Sequence, residues 1–129
     1  MGSSNTNKTI LVIDDSTTNV VLLQAVLNNK GYSIETALNV KDAYTIMNRK
    51  MPDLILLDLL MPRINGYEFL KEIKANDKTS KIPVIVVSAL TDQENIQRSM
   101  DLGANEFITK PVDIQKLLEK VDSVLKYRQ

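Results

Sequence analysis

Thr9-Ile10-Leu11-Val12-Ile13 runs straight into Asp14-Asp15, and the same figure returns twice further along the chain. Leu54-Ile55-Leu56-Leu57 runs into Asp58, and Glu106-Phe107-Ile108-Thr109 runs into Lys110-Pro111. Continuous apolar runs of this length fit parallel strands covered on both faces, whereas a half-solvated strand would alternate. In an open parallel sheet the ligand crevice lies outside the carboxyl ends of the strands. The three stretches therefore predict one crevice in which three carboxylates meet one ammonium.

Working outward, strand and helix patterns alternate five times. Ser16 is an N-cap for a helix through Val20, Leu23 and Leu27, with Gly31 as its stop. Tyr32 to Ala37 alternates as a shorter strand. Val40, Ala43, Tyr44 and Met47 fall on one face of a second helix. Phe69, Leu70 and Ile73 form the stripe of a third helix, which Gly66 either starts or precedes with a left-handed turn; Lys71, Glu72 and Lys74 read as its solvated face. Pro83 to Ser88 is a fourth strand with proline at its entrance, where a missing N–H matters least. A helix over Asp92 to Leu102 follows, then Gly103 and the strand at Glu106. Ile114, Leu117, Leu118, Val121 and Leu125 give the last helix. The pattern implies crossover units and a parallel sheet between two helical layers, filling the chain as one α/β domain.

Composition narrows the function classes. With 129 residues the chain is long enough to bury a core unaided, and its 16 basic and 16 acidic residues cancel. No global field draws it to nucleic acid or an anionic membrane, so neither direct nucleic-acid binding nor membrane insertion is expected. The absence of cysteine excludes disulfides and thiolate metal sites and fits a reducing cytoplasm; the absence of histidine excludes a histidine base, ligand or phosphoacceptor in this chain. The longest apolar stretch, Leu54 to Pro62, is interrupted by Asp58 and is too short to span a bilayer. Residues 1–8 are polar and lack the core of a signal peptide; they read as a disordered tail or a cloning remnant, although Gly2 and Thr6 formally match a myristoylation pattern.

The acid cluster needs a cation. Bare carboxylates held together repel, and one would be forced toward its protonated form. Asp14 and Asp15 are adjacent, but at a strand end the chain turns and both side chains can lean over the sheet edge. Mg²⁺ suits such a site: it takes oxygen ligands and commonly uses one or two carboxylates plus water and phosphate oxygens.

From Thr9 to about Tyr127 the chain resembles a response-regulator receiver domain of the chemotaxis-regulator type. The matching pieces are Ile13-Asp14-Asp15-Ser16, Asp58-Leu59-Leu60-Met61-Pro62, Gly66, Val87-Ser88-Ala89 and Phe107-Ile108-Thr109-Lys110-Pro111. The resemblance implies a flavodoxin-like doubly wound (βα)5 sandwich with strand order 2-1-3-4-5, tail over 1–8 and domain over 9–127. It implies a phosphoprotein of two-component signalling, phosphorylated on Asp58 by a histidine kinase or phosphotransfer protein, and no enzyme beyond self-catalysed transfer. Asp15 would be the main Mg²⁺ ligand (Mn²⁺ substituting), supported by Asp14, Asp58 and the backbone carbonyl of Leu60. Lys110 would pair with the acceptor, aimed inward by a Lys110–Pro111 bond that is often cis in the family, and Ser88 would donate its hydroxyl to a phosphoryl oxygen. Ser88 and Phe107 would form the switch, remodelling the surface of the fourth and fifth helices and the fifth strand. A downstream protein, or a second copy forming a dimer, would read that surface, since no output domain follows Gln129. Leu60 and Leu90 flank the path of an attacking water and, being apolar, predict slow self-dephosphorylation.

Three other readings start from the same residues. A haloacid-dehalogenase-type phosphatase also forms an aspartyl phosphate, but needs a second aspartate where this chain has Leu60. An FMN-binding flavodoxin would cradle phosphate with amides in its first loop, where Asp14-Asp15 would repel it. An interaction module that no longer takes phosphate would not need the acceptor, acid pair, hydroxyl and lysine together.

Overall fold

Five strands form one parallel sheet: β1 (Thr9–Ile13), β2 (Ser33–Ala37), β3 (Leu54–Leu57), β4 (Val84–Ser88) and β5 (Glu106–Thr109). Their order is β2-β1-β3-β4-β5, as a flavodoxin-like fold requires. The helices are α1 (Thr17–Asn29), α2 (Val40–Arg49), α3 (Gly66–Ala75), α4 (Gln93–Asp101) and α5 (Ile114–Lys126). The structure, a computed structural model, describes residues 8–61, 64–90 and 92–126. Of the expected tail over residues 1–8, residues 1–7 with Gly2 and Thr6 lie outside the described residues, as do Pro62 and the domain end at Tyr127; Lys8 is described, and its carbonyl accepts the Ser33 N–H at 2.9 Å.

The apolar runs are continuous because alternate side chains serve two cores. Leu11, Ile13, Ile55, Leu57, Val84 and Val86 pack with Ala43 and Met47 of α2 and with Phe69, Leu70 and Ile73 of α3. Ile10, Val12, Leu54, Leu56, Ile85, Val87 and Ile108 pack on the other face with α1 (Val20, Leu23, Leu27) and α5 (Leu117, Val121, Leu125). Period-two alternation thus chooses between two apolar layers instead of between core and water.

Local chemistry sets the helix ends. The Asn19 N–H donates to Ser16 Oγ at 3.3 Å, capping α1, and Gly31 beyond its end adopts φ +95°. Asn39 caps α2 by accepting from the Asp42 N–H at 2.8 Å. Both sheet edges carry a glutamate held by a cation from a helix: Glu35 on β2 pairs with Arg49 at 3.2 Å, and Glu106 on β5 with Lys120 at 2.8 Å.

Two expectations change. Lys74 does not share the solvated face of Lys71 and Glu72; its Nζ donates to the Ile82 carbonyl at 2.7 Å, satisfying backbone at the entrance to β4. Gly66 starts α3, and the positive-φ glycines are Gly31 and Gly103, so a left-handed turn is not the reason for it. Space is the reason: a Cβ on Gly66 would lie 2.7 Å from Leu59 Cα and 3.0 Å from the Asp58 carbonyl oxygen. Those are backbone atoms with little room to yield. Gly66→Ala is expected to lower the unfolding free energy by about 1–3 kcal/mol, the range for overpacking; an unchanged urea midpoint would contradict this close approach.

Candidate functional site

Register delivers the polar residues to one place. Ile13 pairs with Leu57, so Asp14 and Asp58 each begin where their strand ends. The ladder continues for a further step, with the Asp58 N–H donating to the Ile13 carbonyl at 2.9 Å and the Asp14 N–H to the Ala37 carbonyl at 3.1 Å. Ser88 pairs with Thr109, and the Lys110 N–H donates to the Ser88 carbonyl at 3.0 Å. Carboxylate oxygens of Asp14, Asp15 and Asp58 lie within 4.8 Å of one another. Asp14 and Asp58 are buried, whereas Asp15 is exposed.

Each buried carboxylate is partly satisfied. Asp14 Oδ1 accepts the Ser16 N–H at 2.9 Å; Oδ2 accepts Lys110 Nζ at 3.0 Å and the Asn19 amide at 3.5 Å. Asp58 Oδ1 accepts the Leu60 N–H at 3.1 Å, and Lys110 Nζ stands 3.4 Å from its Oδ2. The lysine therefore sits nearer Asp14 than the expected acceptor. Burial pushes the Asp58 carboxyl above its usual range, and the Leu60 N–H and Lys110 do not fully offset this. Burial also pulls Lys110 down, but the bond to Asp14 and the charge of Asp58 outweigh it and hold the ammonium above its ordinary value. One ammonium among three carboxylates leaves the cluster anionic. Its hard oxygen donors fit a divalent ion such as Mg²⁺.

The other expected members lie on the adjoining strands and loops. Ser88 is fully buried at the end of β4, and its Oγ accepts the Leu90 N–H at 3.2 Å. Phe107 is half-buried on β5 against the core layer beneath α2 and α3. Leu60 is 50 % exposed beside the crevice, and Leu90 is half-buried. The Lys110–Pro111 bond is cis. Sequence reasoning passed over Asn19, whose signal was an amide five residues after Asp14 in the first turn of α1. It also passed over Asn65, which caps α3 by accepting the Tyr67 N–H at 2.9 Å.

The burial of Asp58 has a measurable cost in the metal-free protein. A folded-state pKa above the unfolded value means that ionisation opposes folding at every pH above that raised value. The penalty fades as pH falls through the raised value toward the ordinary carboxylate range. In EDTA, Asp58→Asn is therefore expected to raise the thermal midpoint at pH 7, with the gain over wild type shrinking on acidification. Equal midpoints at pH 7 would contradict it.

Comparison with known proteins agrees with this geometry. Residues 10–122 match the family model of the response regulator receiver domain. The chain is 34 % identical over 116 residues to the protein PilH of Pseudomonas aeruginosa, covering 90 % of this chain and 96 % of PilH. It is 35 % identical over 119 residues to the response regulator PleD of Caulobacter vibrioides, covering 92 % of this chain but 26 % of PleD. Among solved structures, the signal receiver domain of a signal transduction histidine kinase from Syntrophus aciditrophicus superposes with a TM-score of 0.84 at 34 % identity, covering 92 % of this chain and 90 % of that one. With sheet order, acid cluster and sequence in agreement, the chain belongs to the response regulator receiver family, whose general role in two-component signalling is to accept a phosphoryl group from a kinase.

Proposed function

We propose that this domain is phosphorylated on Asp58 by a histidine kinase or phosphotransfer protein and signals to a downstream protein from the cytoplasm. The observation that carries the reading is the buried Asp58 carboxylate, 3.4 Å from Lys110 Nζ and sharing its crevice with Asp14 and Asp15. In the transfer an Asp58 oxygen forms the new P–O bond while the donor's P–N bond breaks, and the donor imidazole keeps that electron pair and takes up a proton. A carboxylate is a poor nucleophile toward an anionic phosphoryl group unless positive charge is gathered at the equatorial oxygens. Lys110 supplies part of it. Asp15, Asp14, Asp58 and the Leu60 carbonyl would hold Mg²⁺ or Mn²⁺, which supplies the rest by charge neutralisation.

Ser88 is the second donor. Its hydroxyl, already at the carboxyl end of β4, can turn to a phosphoryl oxygen, and Phe107 is the aromatic that shifts with it. The face formed by α4, β5 and α5 is then the surface that a partner or a second copy reads, a local charge change biasing a two-state element. The receiver unit runs over residues 9–127. Its chemistry is self-catalysed phosphotransfer and slow hydrolysis, with no turnover of other substrates.

Acetyl phosphate with Mg²⁺ is expected to give one phosphoryl adduct by intact mass, absent in Asp58→Asn and in EDTA. Lys110→Ala should slow adduct formation by about a hundredfold or more, the usual cost of removing a group that stabilises transition-state charge. No adduct in wild type, or an undiminished one in Asp58→Asn, would sink the assignment. Decay of the adduct should quicken in Leu60→Asn, whose amide can orient a water that the leucine repels; an equal half-life would show that this side chain does not govern hydrolysis.

A further inference from the structure

The fourth helix buries little of itself. Of its residues only Ser99 is buried, and Met100 is 39 % exposed. Such an element sits at the low end of local stability, and specific side-chain contacts then decide how firmly it is held. Two of these come from Tyr67, itself 7 % exposed on the first turn of α3. Its hydroxyl donates to Asn95 Oδ1 at 2.5 Å, and Arg98 Cζ lies 3.9 Å from the centroid of its ring. The Asn95 amide donates in turn to Asp92 Oδ1 at 2.7 Å, at the N-cap of α4. Burial raises the Tyr67 phenol, against the pull of Arg98, so it stays a donor near neutral pH.

The other end of this contact reaches the acid site. The Tyr67 N–H is bound by Asn65, and Asn65 pairs with Leu60 in a two-residue antiparallel ladder. The Leu60 N–H holds Asp58 Oδ1. A Cβ on Gly66, next to Tyr67, would lie 3.0 Å from the Asp58 carbonyl oxygen, so the start of α3 passes close to this loop. Every link from the Asp58 carboxylate to α4 is thus a short polar contact or a backbone step, separate from Ser88 and Phe107.

We infer that Tyr67 is a positioning residue that ties α4 to the loop leaving β3, so that a change of state at Asp58 alters the freedom of α4 through Leu60, Asn65 and Tyr67. The inference rests on the reading of Asp58 as acceptor for its second half alone; the tie itself belongs to the unmodified protein. Because coupling is reciprocal, a partner that grips α4 would also alter the state of the acceptor loop.

Amide hydrogen exchange resolved by element tests both halves. Tyr67→Phe keeps the ring over Arg98 and removes the hydroxyl; Asn95→Ala removes the acceptor from the other side and serves if the first variant folds poorly. Without phosphoryl donor, both are expected to speed exchange in residues 93–101 by roughly two- to tenfold, the effect of one hydrogen bond on local opening. Exchange in β1 and β3 should not move. Unchanged exchange in α4 for both variants, or an increase spread evenly over all elements, would overturn the tie. With acetyl phosphate and Mg²⁺, and the adduct verified by mass, the response of α4 should be smaller in both variants than in wild type. A full-sized response in both would overturn the transmission. Failure of wild type to form an adduct would count against Asp58 as acceptor, while the measurement without donor still decides the tie.

Discussion

The three inner strands of this parallel sheet are buried throughout and have nowhere to put charge except at their ends. Everything distinctive about this molecule follows from that constraint. Five strands share one direction, so their carboxyl ends share one edge, and the residues that terminate the apolar runs become neighbours without being neighbours in sequence. Asp14, Asp58 and Lys110 are each the first residue past a strand, and the ladder hydrogen bonds that run one step beyond the strands fix their backbones. Precision at the site is inherited from the core, because shifting one carboxylate would require a strand to slip against two packed layers.

That precision holds an arrangement that is poor on its own terms. One ammonium serves two buried carboxylates, and it leans toward Asp14. Asp58 is left with a single backbone donor and a longer contact to the lysine, and its ionised form is correspondingly disfavoured. A group in this position gains from any added positive charge. The resting site holds an electrostatic mismatch that a bound cation would relieve.

The fold was legible because continuous apolar runs and punctuation by Gly31, Pro83 and Gly103 are statements about local chemistry. Asp14, Asp58 and Lys110 were legible for the same reason, since each follows the end of a run, whereas Asn19 was not. What sequence did not disclose depends on how separate elements meet. Lys74 lies in a run that reads as a solvated helix face, yet its ammonium caps carbonyls that reach it only after α3 docks beside β4. The preference of Lys110 for Asp14 over Asp58 is a matter of tenths of an ångström. Gly66 invites an explanation from dihedral freedom, but its φ is ordinary and its neighbour is the backbone of Leu59. Tyr67 and Asn95 are 28 residues apart, with no periodicity to join them.

The two glutamates at the sheet edges bear on assembly. An open sheet offers unpaired N–H and C=O groups on its outermost strands, an invitation for another chain to add a sixth strand. Glu35 on β2 and Glu106 on β5 place a charge on each of those strands, and Arg49 and Lys120 swing a helix side chain across it. A strand added at either edge would lie beside a carboxylate and its paired cation. Among the described residues the sheet ends at five strands, and a charge on each outer strand disfavours edge-to-edge pairing with another chain.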